Sequence, residues 1–189
     1  MLQLPRLGNL QEFELSYRAN FFRSNPVPLR QSVFRSSPTL RVLRIRASCI
    51  ILQFPLELPS SLHFPHLEEL IISNVLILEG ALHSVLSRCP NLERLMLGTN
   101  LGYSRLRINS LTLRSLGVLD YWRGQDGRLQ EVIIDNAPLL ERLIPRSRGY
   151  DLVIRVTGAP RLMILGYLSD KISTLELGTL VFQVGHTFV

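Results

Sequence analysis

Few residues in this 189-residue chain have the types and spacing that covalent chemistry needs. His63, His66, His83 and His186 do not share a ligand spacing on one helix face, so no metal site is expected of them. His66 lies in a Phe-Pro-His-Leu turn, and His83 is expected to face water. Cys49 and Cys89 are too few for a disulfide framework or a tetrahedral metal site; both read as small core residues rather than reactive thiols. Gly98-Thr-Asn-Leu-Gly102 lacks the following Lys and helix pattern of a phosphate loop, and no Gly-x-Ser-x-Gly nucleophile motif occurs. Tyr121 and Trp122 read as a lid on the edge of a core. The chain is therefore expected to be no enzyme and to carry no cofactor.

What remains is surface chemistry. The formal charge is +6, and of the 21 basic residues all but Lys171 are arginine. They are spread from Arg6 to Arg161, with Arg41, Arg44 and Arg46 the one local cluster. No basic run with interleaved aromatics tracks a phosphate backbone, which argues against a nucleic-acid partner. A basic scaffold binding an anionic ligand is kept as a lower alternative.

These side chains need a framework, and a repeat supplies it. Leu10-Gln-Glu-Phe-Glu-Leu15, Leu40-Arg-Val-Leu-Arg-Ile45, Leu67-Glu-Glu-Leu-Ile-Ile72, Leu92-Glu-Arg-Leu-Met-Leu97, Leu113-Arg-Ser-Leu-Gly-Val118, Leu140-Glu-Arg-Leu143 and Leu162-Met-Ile-Leu165 fit L-x-x-L-x-L in whole or in their first half. Successive starts are separated by 30, 27, 25, 21, 27 and 22 residues, mostly within or next to the range of leucine-rich repeats. Val132 to Leu143 also superposes on Ile154 to Leu165 at an offset of 22, Ala-Pro on Ala-Pro and Leu-x-x-Leu on Leu-x-x-Leu. One such coil cannot bury its leucines alone, so neighbours must stack into a solenoid.

The expected fold is α/β: a leucine-rich-repeat solenoid with a curved parallel sheet and a mixed helical and extended convex side, more β-rich toward the C-terminus. A helix is expected over Glu79 to Cys89, where Leu82, Val85, Leu86 and Cys89 share a face before Pro90, and a shorter helical turn over Leu29 to Phe34. Glu131 to Ile134 and Leu152 to Val156 are β-branched and should be extended. Arg123 to Arg128 and Arg146 to Asp151 should be exposed loops. Composition, 46% hydrophobic and 19% charged, fits one globular unit, and no apolar stretch approaches the roughly 20 residues of a membrane span. No signal peptide is read in Met1 to Glu12, and two cysteines with no Asn-x-Ser/Thr sequon suit an intracellular setting, nucleus or cytoplasm.

In L-x-x-L-x-L the leucines point inward and the intervening residues point to the concave face. That face takes Glu12, Glu14 and Ser16, then Val42, Arg44 and Arg46, then Glu69, Ile71 and Ser73. It continues with Arg94, Met96 and Gly98, then Ser115, Gly117 and Leu119, then Arg142 and Ile144, and ends with Ile164, Gly166 and Leu168. The candidate partner-binding residues are Arg44, Arg46, Glu69, Ile71, Arg94, Met96, Ser115, Leu119 and Arg142. An acidic start, an arginine-bearing centre and an apolar end suit a protein partner.

Ser37-Pro-Thr-Leu-Arg-Val-Leu43, Phe64-Pro-His-Leu-Glu-Glu-Leu70, the run from Ala81 through Cys89-Pro-Asn-Leu-Glu-Arg-Leu95, Asp135-Asn-Ala-Pro-Leu-Leu-Glu-Arg-Leu143 and Ala159-Pro-Arg-Leu-Met-Ile-Leu-Gly166 resemble the leucine-rich-repeat region of plant F-box proteins of the F-box/LRR and FBD type. The resemblance implies the substrate-recognition arm of an SCF-type ubiquitin ligase, in which an F-box grips the Skp adaptor and the repeats hold a protein target. This sequence enters the repeats by Leu10, so the expectation is a single partial repeat domain over residues 1–189 with no F-box. Skp adaptor and cullin are then partners only where an F-box is supplied, and a truncated structural fragment is the alternative. Met1 to Leu10 and Gly185 to Val189 are weak caps, so self-association is expected at the C-terminal edge near Leu175 to Phe182.

Overall fold

The computed structural model describes residues 9–18, 25–49, 51–120, 129–147, 152–166 and 172–183. In chain order the strands are β1 (Glu12–Arg18), β2 (Val27–Pro28), β3 (Val42–Ser48), β4 (Leu52–Gln53), β5 (Glu69–Ser73), β6 (Val75–Leu76), β7 (Arg94–Gly98) and β8 (Arg105–Asn109). They continue with β9 (Ser115–Asp120), β10 (Glu131–Asn136), β11 (Arg142–Ser147), β12 (Leu152–Val156), β13 (Ile164–Leu165), β14 (Ile172–Leu177) and β15 (Leu180–Gln183). A helix, α1 (Glu79–Leu86), separates β6 from β7, and a 3-10 turn at Gln31–Phe34 follows β2.

The odd-numbered strands from β1 to β13 form one seven-stranded parallel sheet in chain order. The remaining strands build the opposite wall, β2-β4-β6 in one sheet and β8-β10-β12-β14-β15 in another; among the described residues only the β14–β15 pair is antiparallel. Each coil contributes one strand to the first sheet and returns along the other wall, which makes the molecule a parallel β-solenoid.

The repeat spacing is the strand register. Glu12 pairs with Val42, Val42 with Glu69, Glu69 with Arg94, Arg94 with Ser115, Ser115 with Arg142 and Arg142 with Ile164, reproducing the offsets between the leucine motifs. On the other wall Val132 pairs with Ile154, the 22-residue offset of the Ala-Pro superposition. The same hydrogen bond recurs wherever a coil begins. The carbonyl of Gln11, Arg41, Glu68, Glu93, Arg114 or Glu141 accepts from two successive N–H groups of the next coil, as Glu68 does from Glu93 and Arg94 at 2.9 and 2.8 Å.

Burial follows the alternation. Leu40, Leu67, Leu113 and Leu140, with Leu43, Leu70, Leu116 and Leu143 one step on, are almost wholly buried. The other wall meets them with Leu106, Val132, Ile134, Ile154 and Ile172. Each such side chain contributes about 1.5–3 kcal/mol of transfer free energy. Phe34 fixes the first coils through Phe54 and Phe64, at centroid distances of 5.5 and 6.2 Å. Coils touch so closely at Gly158 that a Cβ there would stand 2.0 Å from the Asp135 carbonyl oxygen, so only glycine fits.

The convex side departs from the mixed helical expectation: among the described residues it carries a single α-helix and is otherwise strand-rich. The coil starting at Leu40 holds Pro55, Pro59 and Pro65, which break helices, and coils of 21 or 22 residues return by strands. The helix α1 itself stops at Leu86, after which Arg88 and Cys89 donate to Val85 and Leu86 in a tighter turn before Pro90. The segments expected to be extended are β10 and β12. Arg146 and Ser147, expected in a loop, extend β11 by pairing with Leu119 and Asp120. Residues 123–128 and 148–151, the Tyr121–Trp122 pair, Leu168, Lys171, His186 and both chain ends lie outside the described residues. No helix among the described residues is long and apolar enough to cross a membrane.

Candidate functional site

The seven-stranded sheet turns one side of each strand inward and the other outward, and its register lines the outward residues into rows. One row reads Glu12, Val42, Glu69, Arg94, Ser115, Arg142, Ile164; the next reads Glu14, Arg44, Ile71, Met96, Gly117, Ile144; the third reads Ser16, Arg46, Ser73, Gly98, Leu119, Arg146. All nine candidate residues, Arg44, Arg46, Glu69, Ile71, Arg94, Met96, Ser115, Leu119 and Arg142, fall in these rows. Val42 is more enclosed than an open face position, at 9% exposure.

The first half of this face is a network of ion pairs. Glu69 accepts from Arg44 Nε at 2.8 Å and Arg94 Nε at 3.0 Å, with Arg44 Nη2 at 2.6 Å. Arg44 Nη1 also stands 3.7 Å from Glu12, and Arg46 donates to Glu14 at 2.9 Å. Partial burial pushes the Glu69 carboxyl upward, but the hydrogen bonds and charges of Arg94 and Arg44 outweigh it and hold the group below its ordinary value.

The second half is apolar and carries fewer charges. Met96 is 38% exposed and lies against Gly117, where a Cβ would stand 3.2 Å from the methionine Cε. Leu119 and Ile144 are half-buried, and Ile164 is 41% exposed. Arg142 makes no ion pair with any described residue, whereas Arg44, Arg46 and Arg94 all do.

The cysteines and histidines separate from this face. Cys89 is buried, its thiol donates to the Val85 carbonyl at 3.2 Å, and burial pushes its pKa up to about 12. Cys49 is exposed rather than in the core, because it sits beyond the end of β3 with φ at 60°. Contrary to the expectation that His83 faces water, its Nε2 is buried without a hydrogen-bond partner as α1 packs onto the coil. His66 is exposed, and no group of three or more His, Cys, Asp or Glu among the described residues is placed to hold a metal ion.

Sequence reasoning missed the pairing pattern. Arg41 pairs with Glu68 and Arg114 with Glu141, each immediately after the first leucine of its motif. On the opposite wall Glu131 stands between Arg105 and Arg155, and Arg155 reaches Glu176. Aligning the motifs column by column, rather than reading each alone, exposes these opposite charges.

The model of the family described as FBD-associated F-box protein At5g56370, LRR repeats, matches residues 1–188. No curated protein and no solved structure matches the chain. With the repeat register, the strand order and a family match over nearly the whole sequence in agreement, this chain belongs to the leucine-rich repeats of the FBD-associated F-box protein family.

Proposed function

We propose that this chain is a protein-interaction module that holds a protein target against the outward face of its seven-stranded sheet. The supporting observation is the grading of that face, from neutralised ion pairs at Glu69 to exposed Met96, Ile164 and an Arg142 with no carboxylate partner among the described residues. Arginine, methionine and uncovered aliphatic groups on a rigid sheet are the composition of interface anchors. No covalent step is involved. In a protein where an F-box accompanies these repeats, the Skp adaptor and cullin would attach through the F-box and the target would be presented for ubiquitin transfer.

The anionic-ligand alternative loses support from the same geometry. Arg41, Arg44, Arg46, Arg94, Arg105, Arg107, Arg114 and Arg155 all meet a carboxylate, so the net charge is not gathered into a phosphate-binding surface.

Affinity capture of the chain from cells, read by mass spectrometry, tests the proposal. The intact chain should recover a protein that Arg142→Glu and Ile164→Asp variants, folded by circular dichroism, recover at least about tenfold less. The adaptor should appear only when an F-box is fused to the chain. Recovery of the same partners by both variants would assign binding elsewhere.

A further inference from the structure

The five-stranded sheet ends in the middle of the molecule. Its order begins at β8; the coil before β8 runs through β6 and then α1, which packs against part of β8, so no described strand pairs with the other edge of β8. The Ser104 carbonyl accepts from Gln130 and Glu131, and the Ser110 N–H donates to Asn136, so Ser104, Leu106, Ile108 and Ser110 direct their main chain toward β10. Arg105, Arg107 and Asn109 therefore present main-chain N–H and C=O groups to the open edge. A cleft of about 650 Å³ runs beside Arg107 and Asn109, between the end of α1 and β8. Leu86, Leu92, Leu95, Ile108 and Leu113 line it, and Leu111, 66% exposed, stands at its rim.

The partner already on the paired edge shows what β8 accepts. Strand β10 reads Glu131-Val-Ile-Ile-Asp135; it turns Val132 and Ile134 inward and sets its two carboxylates against Arg105 and Arg107. Both arginines use Nε for these bonds and are more than half exposed, so donors remain for a second carboxylate. The open edge offers the same arginines and an apolar floor.

We infer that the open edge of β8 and its cleft form a second binding site, separate from the seven-stranded sheet, for an extended polypeptide segment alternating acidic and aliphatic residues. The segment adds as a short further strand beside the C-terminal half of β8, with main-chain bonds to Arg107 and Asn109, carboxylates outward and aliphatic groups in the cleft.

A fluorescent peptide of residues 130–136 is the probe, titrated against the full chain by anisotropy. Saturable binding is expected, at least about tenfold tighter than for a peptide of equal composition whose acidic residues are moved one position, which turns them toward the cleft. Hydrogen exchange should slow at the Arg107 and Asn109 amides by about tenfold or more and stay unchanged along β7 and β9. The Leu111→Asp variant, altered at an exposed rim position, should weaken binding; Asn109→Pro, which removes one edge donor, should weaken it further. No binding, equal binding of both peptides, or protection confined to the seven-stranded sheet would overturn the site. Displacement of the peptide by an apolar small molecule without amide protection would do so as well, by making the cleft a small-ligand pocket.

Discussion

Arg44 and Glu69 are diagonal neighbours on adjacent strands: Glu69 lies opposite Val42, and the Arg44 side chain reaches back two residues to place Nε 2.8 Å from the carboxylate. Arg94, directly opposite Glu69, takes the other carboxylate oxygen. The same geometry recurs on the far wall, where Glu131 has Arg105 opposite and Arg155 on the diagonal. In both places one glutamate ties three successive coils together, a tie that hydrophobic stacking between neighbours does not provide.

Removing Glu69 therefore leaves two guanidinium groups facing each other across one strand. Its side chain is 15% exposed, so Glu69→Ala should lower stability by about 1 kcal/mol, and by less at high salt. The Glu69 pKa is depressed on folding, so this stabilisation is fully present above the ordinary value of 4.5 and is lost as pH falls through the lower folded value. Urea unfolding at pH 7 and at pH 3 measures it: the difference between the intact chain and the variant should shrink at pH 3. An equal difference at both values would show that the carboxylate charge contributes nothing.

Two glycines should respond in opposite directions. At Gly158 a methyl group would meet the Asp135 carbonyl oxygen at 2.0 Å and force neighbouring coils apart, so Gly158→Ala should cost about 1–3 kcal/mol. Gly80 lies in the first turn of α1 with nothing within 4 Å of an added Cβ, and Gly80→Ala should gain about 0.5–1 kcal/mol. Thermal melts of the two variants should therefore move to opposite sides of the parent.

The spacing of Leu40, Leu67, Leu92, Leu113, Leu140 and Leu162 was enough to read the solenoid and its register, because a coil can bury its leucines only against the same leucines of the next. The outward rows followed from the same period of two. The return path was less legible, since it depends on competition within each coil: Leu82 and Val85 sit on the buried side of a helix, while the coil with prolines after Gln53 and the β-branched later coils return by strands. Periodicity does not describe the exposure of Cys49, set by the turn beyond β3, or of His83, set by how the α1 side chains meet the neighbouring coil. The pairing of Arg44 with Glu69 needed the register first, and the cleft beside β8 needed the change from helix to strand between two coils.

Asn100 marks another joint between coils. It is 6% exposed, its Oδ1 accepts from Val75 N–H at 3.0 Å and its Nδ2 donates to the Ile72 carbonyl at 2.9 Å. Asn100→Ala strands a buried donor and a buried acceptor, for an expected loss of about 2–4 kcal/mol. Asn74 makes one such bond, to the Ala47 carbonyl at 2.6 Å, and Asn74→Ala should cost less than Asn100→Ala. Because Asn74 also has φ at 56°, Asn74→Gly separates the parts: it removes the same side-chain bond while relieving the backbone, and should fall between Asn74→Ala and the parent in urea midpoint.

The two cysteines give the last expectation, since burial alone distinguishes them. Cys49 is exposed, while the Cys89 thiol is enclosed, bonded to Val85 and pushed up to about 12 by desolvation. A thiol reagent reacts with the thiolate, so at pH 8 the native chain should label rapidly once, at Cys49, and a Cys49→Ser variant should label only at the rate at which the coil carrying α1 opens. Adding urea to the unfolded range should bring Cys89 to the rate of an ordinary thiol. Because the folded state keeps the Cys89 proton to higher pH than the unfolded state does, stability should also decline as pH rises above the unfolded thiol value toward 12. Rapid double labelling of the native chain would place Cys89 at the surface and undo its burial beside Val85.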